Sequence, residues 1–149
     1  MKNNLKKIFL LTFLCLIFLC FNLTGFGQKL DPKVILKDKL LKEKLVKKGF
    51  TADYTRISGK RSKWLNELLP LSAKNSTHLS GQAIDILVGD VNNDKKQNAE
   101  DIKIVVACLE EIEKENPTLV GGIGTYLKKG SLSNRMVHFD VRGTKARWN

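Results

Sequence analysis

Histidine and cysteine are both scarce in this chain: 149 residues hold two histidines and three cysteines. Three cysteines, an odd and sparse set, exclude a disulfide framework. Proline numbers three and glycine 11, which excludes collagen-like and low-complexity chains. Aromatics make up 7%, and the lysines are scattered rather than striped beside them, so nucleic acid is not expected as a partner. Acids are also few: 15 stand against 26 Lys and Arg, for a formal charge of +11. With 42% hydrophobic and 28% charged residues, the chain has the balance of one globular domain rather than of a disordered polymer.

Long apolar runs are missing, with one exception at residues 8–21. That run follows Lys2, Lys6 and Lys7 and precedes the small-residue pattern Gly25-Phe26-Gly27. It is shorter than the roughly 20 residues a bilayer span needs. Basic, apolar and small segments in this order predict a cleaved signal peptide over 1–27 and a mature domain over 28–149. The mature protein is then secreted or periplasmic, with no stable membrane anchor. A retained anchor is the rival reading. A lipid on Cys20 is disfavoured by bulky Phe18 and Leu19 before it. Cleavage removes three lysines and no acid, leaving +8. It also leaves Cys108 as the sole cysteine, set among Val105, Val106 and Leu109, where it reads as a buried, inert thiol. A basic exported domain suits an anionic cell-wall polymer.

Apolar spacing predicts a helix over 33–48, with Ile35, Leu36, Leu40, Leu41 and Leu45 inside, lysines outside and Gly49 as its stop. A strand is predicted over 50–58 and a helical turn over 63–69, stopped by Pro70. Residues 82–88 alternate as a strand, with Ala83, Asp85 and Leu87 on one face and Ile84, Ile86 and Val88 on the other. The strongest helix pattern is 101–114, carrying Ile102, Val105, Val106, Leu109 and Ile112 on one side. Gly121, Gly122 and Gly124 surround a short strand near Tyr126. A final strand covers 136–141, and a basic tail ends in Arg147-Trp148-Asn149. Irregular alternation of these elements predicts an α+β domain, a small antiparallel sheet with flanking helices.

Each histidine has an aspartate at a telling distance. His78 leaves a loop, Gly81 permits a sharp turn, and Asp85 lands inside the next strand. His138 and Asp140 share one face of the last strand. Aspartates among Ile84, Ile86, Phe139 and Val141 are costly to bury unless paired or metal-bound. His78, Asp85 and His138 together match the donor set of a zinc site with an open fourth position. Two ordinary His–Asp pairs supporting strands would use the same residues.

The segment Ser76-Thr77-His78-Leu79-Ser80-Gly81-Gln82-Ala83-Ile84-Asp85 resembles the Ser-x-His-x-x-Gly-x-Ala-x-Asp motif of the D-alanyl-D-alanine carboxypeptidase-like zinc peptidases. That superfamily includes L,D-endopeptidases and the hedgehog fold. Ile57-Ser58-Gly59-Lys60-Arg61-Ser62 is similar to its Ser-Gly-Tyr-Arg-Ser segment, with Lys60 in place of tyrosine. Gly121-Gly122-Ile123-Gly124-Thr125-Tyr126, then 137–143 around His138 and Asp140, and Ala146-Arg147-Trp148 resemble its C-terminal signature. The resemblance implies a hedgehog-like fold, with His78, Asp85 and His138 as zinc ligands. It places Arg61 where a side chain contacts a substrate carbonyl or carboxylate. It further implies a secreted zinc metallopeptidase that cleaves peptidoglycan stem peptides, as a D,D-carboxypeptidase or an L,D- or D,D-endopeptidase. One position departs from the pattern. Many members carry an acidic general base three residues before the last ligand histidine, and here that residue is Arg135. Asp140 is the substitute base, or else only orients the site. A non-catalytic wall-binding module that retains the zinc fold is the alternative.

Between these motifs, 90–101 spaces oxygen-bearing side chains like an EF-hand or dockerin calcium loop. Asp90, Asn92, Asp94 and Asp101 are candidate Ca2+ ligands by side chain, Lys96 by its carbonyl and Asn98 through water. Lys95 occupies position six, where glycine normally takes the left-handed turn. The competing reading is a helix start with Asn98 as cap and Asp101 three residues on.

Overall fold

Asp31 starts the first helix, α1 (Pro32–Lys47), by accepting the Lys33 N–H at 2.8 Å, and Pro32 sets the first-turn geometry. In the computed structural model the described residues are 29–68, 73–127 and 134–149. The expected signal peptide, and with it Cys15 and Cys20, lies outside them, as do Leu69 and Pro70. After α1 come β1 (Tyr54–Ser58), α2 (Lys63–Leu68), β2 (Ala83–Val88) and α3 (Ala99–Glu115). A 3₁₀ turn (Pro117–Leu119) leads to β3 (Gly122–Tyr126), β4 (Met136–Asp140) and β5 (Ala146–Trp148). Among the described residues, no helix is long and apolar enough to cross a membrane.

The five strands form one sheet in the order β1-β2-β4-β3-β5. The first three pairings are antiparallel, but β5 runs parallel to β3. The α+β class is as expected, whereas the sheet is mixed rather than antiparallel. The residues read as a basic tail supply the extra strand. A three-residue strand is too short to show period two, so nothing in its sequence announced it.

Strand parity divides the sheet into two faces. Ile84, Ile86, Val88, Val137, Phe139 and Ile123 pack with Val34, Leu41 and Leu45 of α1 and Ile102, Val105, Leu109 and Ile112 of α3. Cys108 is buried in this core, and burial pushes its thiol pKa up, as an inert cysteine requires. The other face presents Asp85 and His138. The inner face of α1 differs from the predicted one. Ile35 and Leu36 are about half exposed (47% and 46%), while Lys37 and Asp38 are buried. The helix is rotated because these charged groups find partners inside: Lys37 meets Glu113 at 2.6 Å, and Asp38 accepts from Tyr54 Oη at 2.8 Å and Arg56 Nη2 at 2.7 Å.

Candidate metal centre

One transverse row of the sheet builds the site. Ser58 pairs with Asp85, Asp85 with His138, His138 with Gly124, and Gly124 with Trp148. Each step crosses one strand, so the row spans all five. His78 arrives from the loop before β2. Gly81 makes that approach possible: its φ is +76°, and a Cβ there would lie 3.0 Å from the Lys29 carbonyl. The turn at 59–61 grips His78 from both sides. Its Nδ1 meets the Gly59 carbonyl at 2.6 Å, and its own carbonyl accepts the Arg61 N–H at 2.9 Å.

These contacts determine where the ring protons sit. A carbonyl only accepts, so His78 Nδ1 carries a proton and, in the neutral ring, Nε2 presents a lone pair. His138 stands between two carboxylates, its Nε2 3.1 Å from Asp140 and its Nδ1 2.8 Å from Asp85; with the proton held on Nε2 by Asp140, Nδ1 is left with a lone pair to offer a metal. His78 Nε2 and His138 Nδ1 lie 3.2 Å apart. Asp85 completes the group, with Oδ2 3.2 Å from His78 Nε2 and Oδ1 2.8 Å from His138 Nδ1. Three electron-pair donors therefore converge, all buried, with their ligand atoms within 4.8 Å of one another. Such a pocket requires a cation, either an extra proton or a metal ion. Ligands about 2.0–2.1 Å from a tetrahedral zinc stand about 3.3 Å apart, close to the separations found. The described His78–Asp85–His138 group could hold a metal ion.

Without a metal, Asp85 draws protons onto the nitrogens that face it: burial disfavours its carboxylate, but the bonds that His138 and His78 then donate outweigh burial and hold its pKa well below the usual range. Burial likewise opposes charge on His138, yet Asp140 and Asp85 raise its pKa above the ordinary 6.5. Arg61 stands at the rim, its Nη2 3.7 Å from Asp85 Oδ2 and 3.3 Å from Ser58 Oγ.

Asp140 does not fit the role of proton acceptor. It is wholly buried. Oδ1 accepts the Gly122 N–H at 2.8 Å and the Arg142 N–H at 3.0 Å, while Oδ2 accepts from His138 and from the Arg142 side chain. Donors occupy its lone pairs, and its Oδ2 lies against His138 Nε2, the contact that the second of the two roles considered for it requires. Arg135 is also outside the cluster, because its Nη1 donates to the Val88 carbonyl at 2.7 Å.

Trp148 was not anticipated in the site. Its indole lies 5.1 Å from the His138 ring, under the Arg142 guanidinium at 5.6 Å, with Nε1 donating to Tyr126 Oη at 3.1 Å. Gly124 leaves the space it fills: a Cβ there would come within 2.1 Å of the indole.

The 90–101 loop has turned inward on its own backbone. Lys95 does adopt the left-handed conformation, at φ +65°, as does Asn93 at +60°. Asp101 is wholly buried, and its oxygens accept from Val91, Asn92 and Asn98 N–H groups at 2.8, 3.3 and 2.8 Å. Asp90 accepts from Asp94 and Lys95 N–H groups, and Asp94 from Lys96 N–H. Asn98 and Asp101 form a reciprocal capping box on α3. Among the described residues, only His78, Asp85 and His138 gather three His, Cys, Asp or Glu ligand atoms. The helix-cap reading accounts for Asn98 and Asp101 without a calcium ion.

Compared with family models, with curated proteins and with solved structures, the chain matches none.

Proposed function

We propose that this chain is an exported zinc-dependent peptidase of the D-alanyl-D-alanine carboxypeptidase type, acting on the stem peptides of peptidoglycan. The observation that carries the metal centre is the meeting of two imidazole nitrogens and a carboxylate 2.8–3.2 Å apart. Zinc, when bound by His78, Asp85 and His138, supplies Lewis acidity toward a carbonyl and activates water at neutral pH. The remaining roles belong to the chain. Gly59 and Asp140 hold the outer nitrogens of the two rings, which keeps His78 Nε2 and His138 Nδ1 turned toward the metal position. Trp148 covers one side of His138 and keeps its ring from turning. Arg61, at the rim, offers a guanidinium to a developing oxyanion or to a substrate carboxylate. The net positive charge of the mature domain favours anionic wall polymers.

A second reading has its own support. Asp140 is buried and saturated and Arg135 points away, so among the described residues no free proton-accepting carboxylate stands beside the cluster. A wall-binding module that keeps the metal and does no hydrolysis would look the same. Metal analysis and wall digestion separate the readings. Purified mature protein is expected to carry about one zinc per chain, to lose it on His138→Ala, and to change the muropeptide profile of digested wall. Zinc-loaded protein that sediments with wall and releases no fragment would establish the binding module instead. Absence of zinc after incubation with excess metal would end both.

A further inference from the structure

Lys37 is wholly buried on the helix side of the sheet, a rare place for lysine unless paired. Its Nζ donates to Glu113 Oε1 at 2.6 Å, the Asp140 carbonyl at 2.8 Å and the Leu119 carbonyl at 3.0 Å. All three ammonium protons are thereby placed. Asp140 is the residue whose carboxylate holds His138 Nε2. Glu113 reaches the same residue by a second route. Its Oε1 accepts the Gly121 N–H at 3.1 Å, and the next N–H, that of Gly122, goes to Asp140 Oδ1 at 2.8 Å. A Cβ on Gly121 would lie 2.0 Å from the Asp140 carbonyl oxygen, so the two backbones run in close contact here. Arg147 completes the anchor, donating to Glu113 Oε2 at 2.6 Å and the Gly121 carbonyl at 3.0 Å.

We propose that Lys37, together with Glu113, is a positioning residue of the metal centre. It holds the main chain of Asp140 from the helix side, so that the carboxylate meets His138 Nε2 on the opposite face. The inference rests on the metal-centre reading above. Stability alone does not account for the choice of lysine, because well-packed apolar side chains often match or exceed a buried ion pair. An apolar chain of equal length would fill the space and leave the Asp140 carbonyl undirected.

A double-mutant cycle tests it, with zinc affinity measured against a competing chelator and His138 read by imidazole ¹⁵N NMR. Lys37→Met, folded by circular dichroism, is expected to bind zinc about tenfold more weakly or worse, within the range typical of lost outer-shell support. Its His138 is expected to lose the single Nε2-protonated tautomer. In the Asp140→Asn background the same substitution is expected to change affinity less than about twofold, since the route through Asp140 is already cut. Wild-type affinity and tautomer in folded Lys37→Met would overturn the inference, as would an equal loss in both backgrounds. Should Lys37→Met fail to fold, Glu113→Gln keeps the shape and carries the same comparisons, with unchanged affinity and tautomer as the overturning result. Wild type that binds no zinc, or His138→Ala that binds it equally, defeats the metal-centre reading. The imidazole ¹⁵N signals of His138 in metal-free protein, moved or unmoved by Lys37→Met, still decide the role of Lys37.

Discussion

Replacing Asp140 by asparagine separates an orienting carboxylate from a catalytic base. Asp140 meets donors on both oxygens: Gly122 and Arg142 N–H groups on Oδ1, His138 Nε2 on Oδ2, and the Arg142 guanidinium across them. An amide has one oxygen. Either Gly122 and the Arg142 main chain lose their acceptor, or His138 and the Arg142 side chain do. Hydrogen bonds to a charged partner contribute about 1.5–3 kcal/mol each. The Arg142 side chain is 35% exposed, and water restores part of what it loses, so the loss in stability should be about 3 kcal/mol. For a domain of this size that lowers Tm by about 10 °C. The larger signature is in the metal. Freed from Asp140, His138 can protonate Nδ1 and bond Asp85, which removes a ligand nitrogen and weakens zinc by about 10–100-fold. Melting curves with and without zinc, and a chelator competition, measure both quantities. A variant that binds zinc within about twofold of wild type yet has lost all turnover would refute this reasoning. Asp140 would then be the base.

His78→Ala should also abolish stoichiometric zinc while leaving the core, which lies on the other face, intact by circular dichroism. The raised pKa of His138 contributes stability to metal-free protein fully below about pH 6.5, and this is lost as pH rises through the folded value. The depressed Asp85 and Asp140 contribute above about pH 4 and are lost as pH falls. Metal-free protein should therefore melt highest between about pH 4.5 and 6.5, with zinc raising Tm most near pH 8; a Tm that climbs toward pH 8 without metal would contradict this. Asp101→Ala orphans three backbone N–H groups and should cost about 2–4 kcal/mol, with or without chelator. A wild-type Tm that rises in millimolar calcium, and no longer does so in Asp90→Ala, would put an ion in that loop. Gly124→Ala should dislodge Trp148 and shift its fluorescence to the red; an unchanged spectrum would show that the indole does not depend on that gap.

The cluster was legible because its residue types are rare and strand parity is strict. With only two histidines, and with Asp85 and His138 on apolar strands, few arrangements remain open. The α+β class followed from the same periodicities. What stayed hidden depended on long-range pairing. Nothing near Lys37 shows that Glu113 waits inside, and the usual rule assigns lysine to solvent. Strand β5 has no pattern of its own, and it forms because β3 offers an edge. Asp140 looked available because neither Arg142 nor the Gly122 N–H could be seen to occupy it from spacing alone.

The three partners of Lys37 lie 76, 82 and 103 residues further along the chain. Contacts so remote can close only after the intervening polypeptide has condensed. A bond made after the folding barrier is crossed adds little to the speed of folding and retards escape from the native state. The lysine is in this sense a latch set last, and its contribution is to the lifetime of the folded domain.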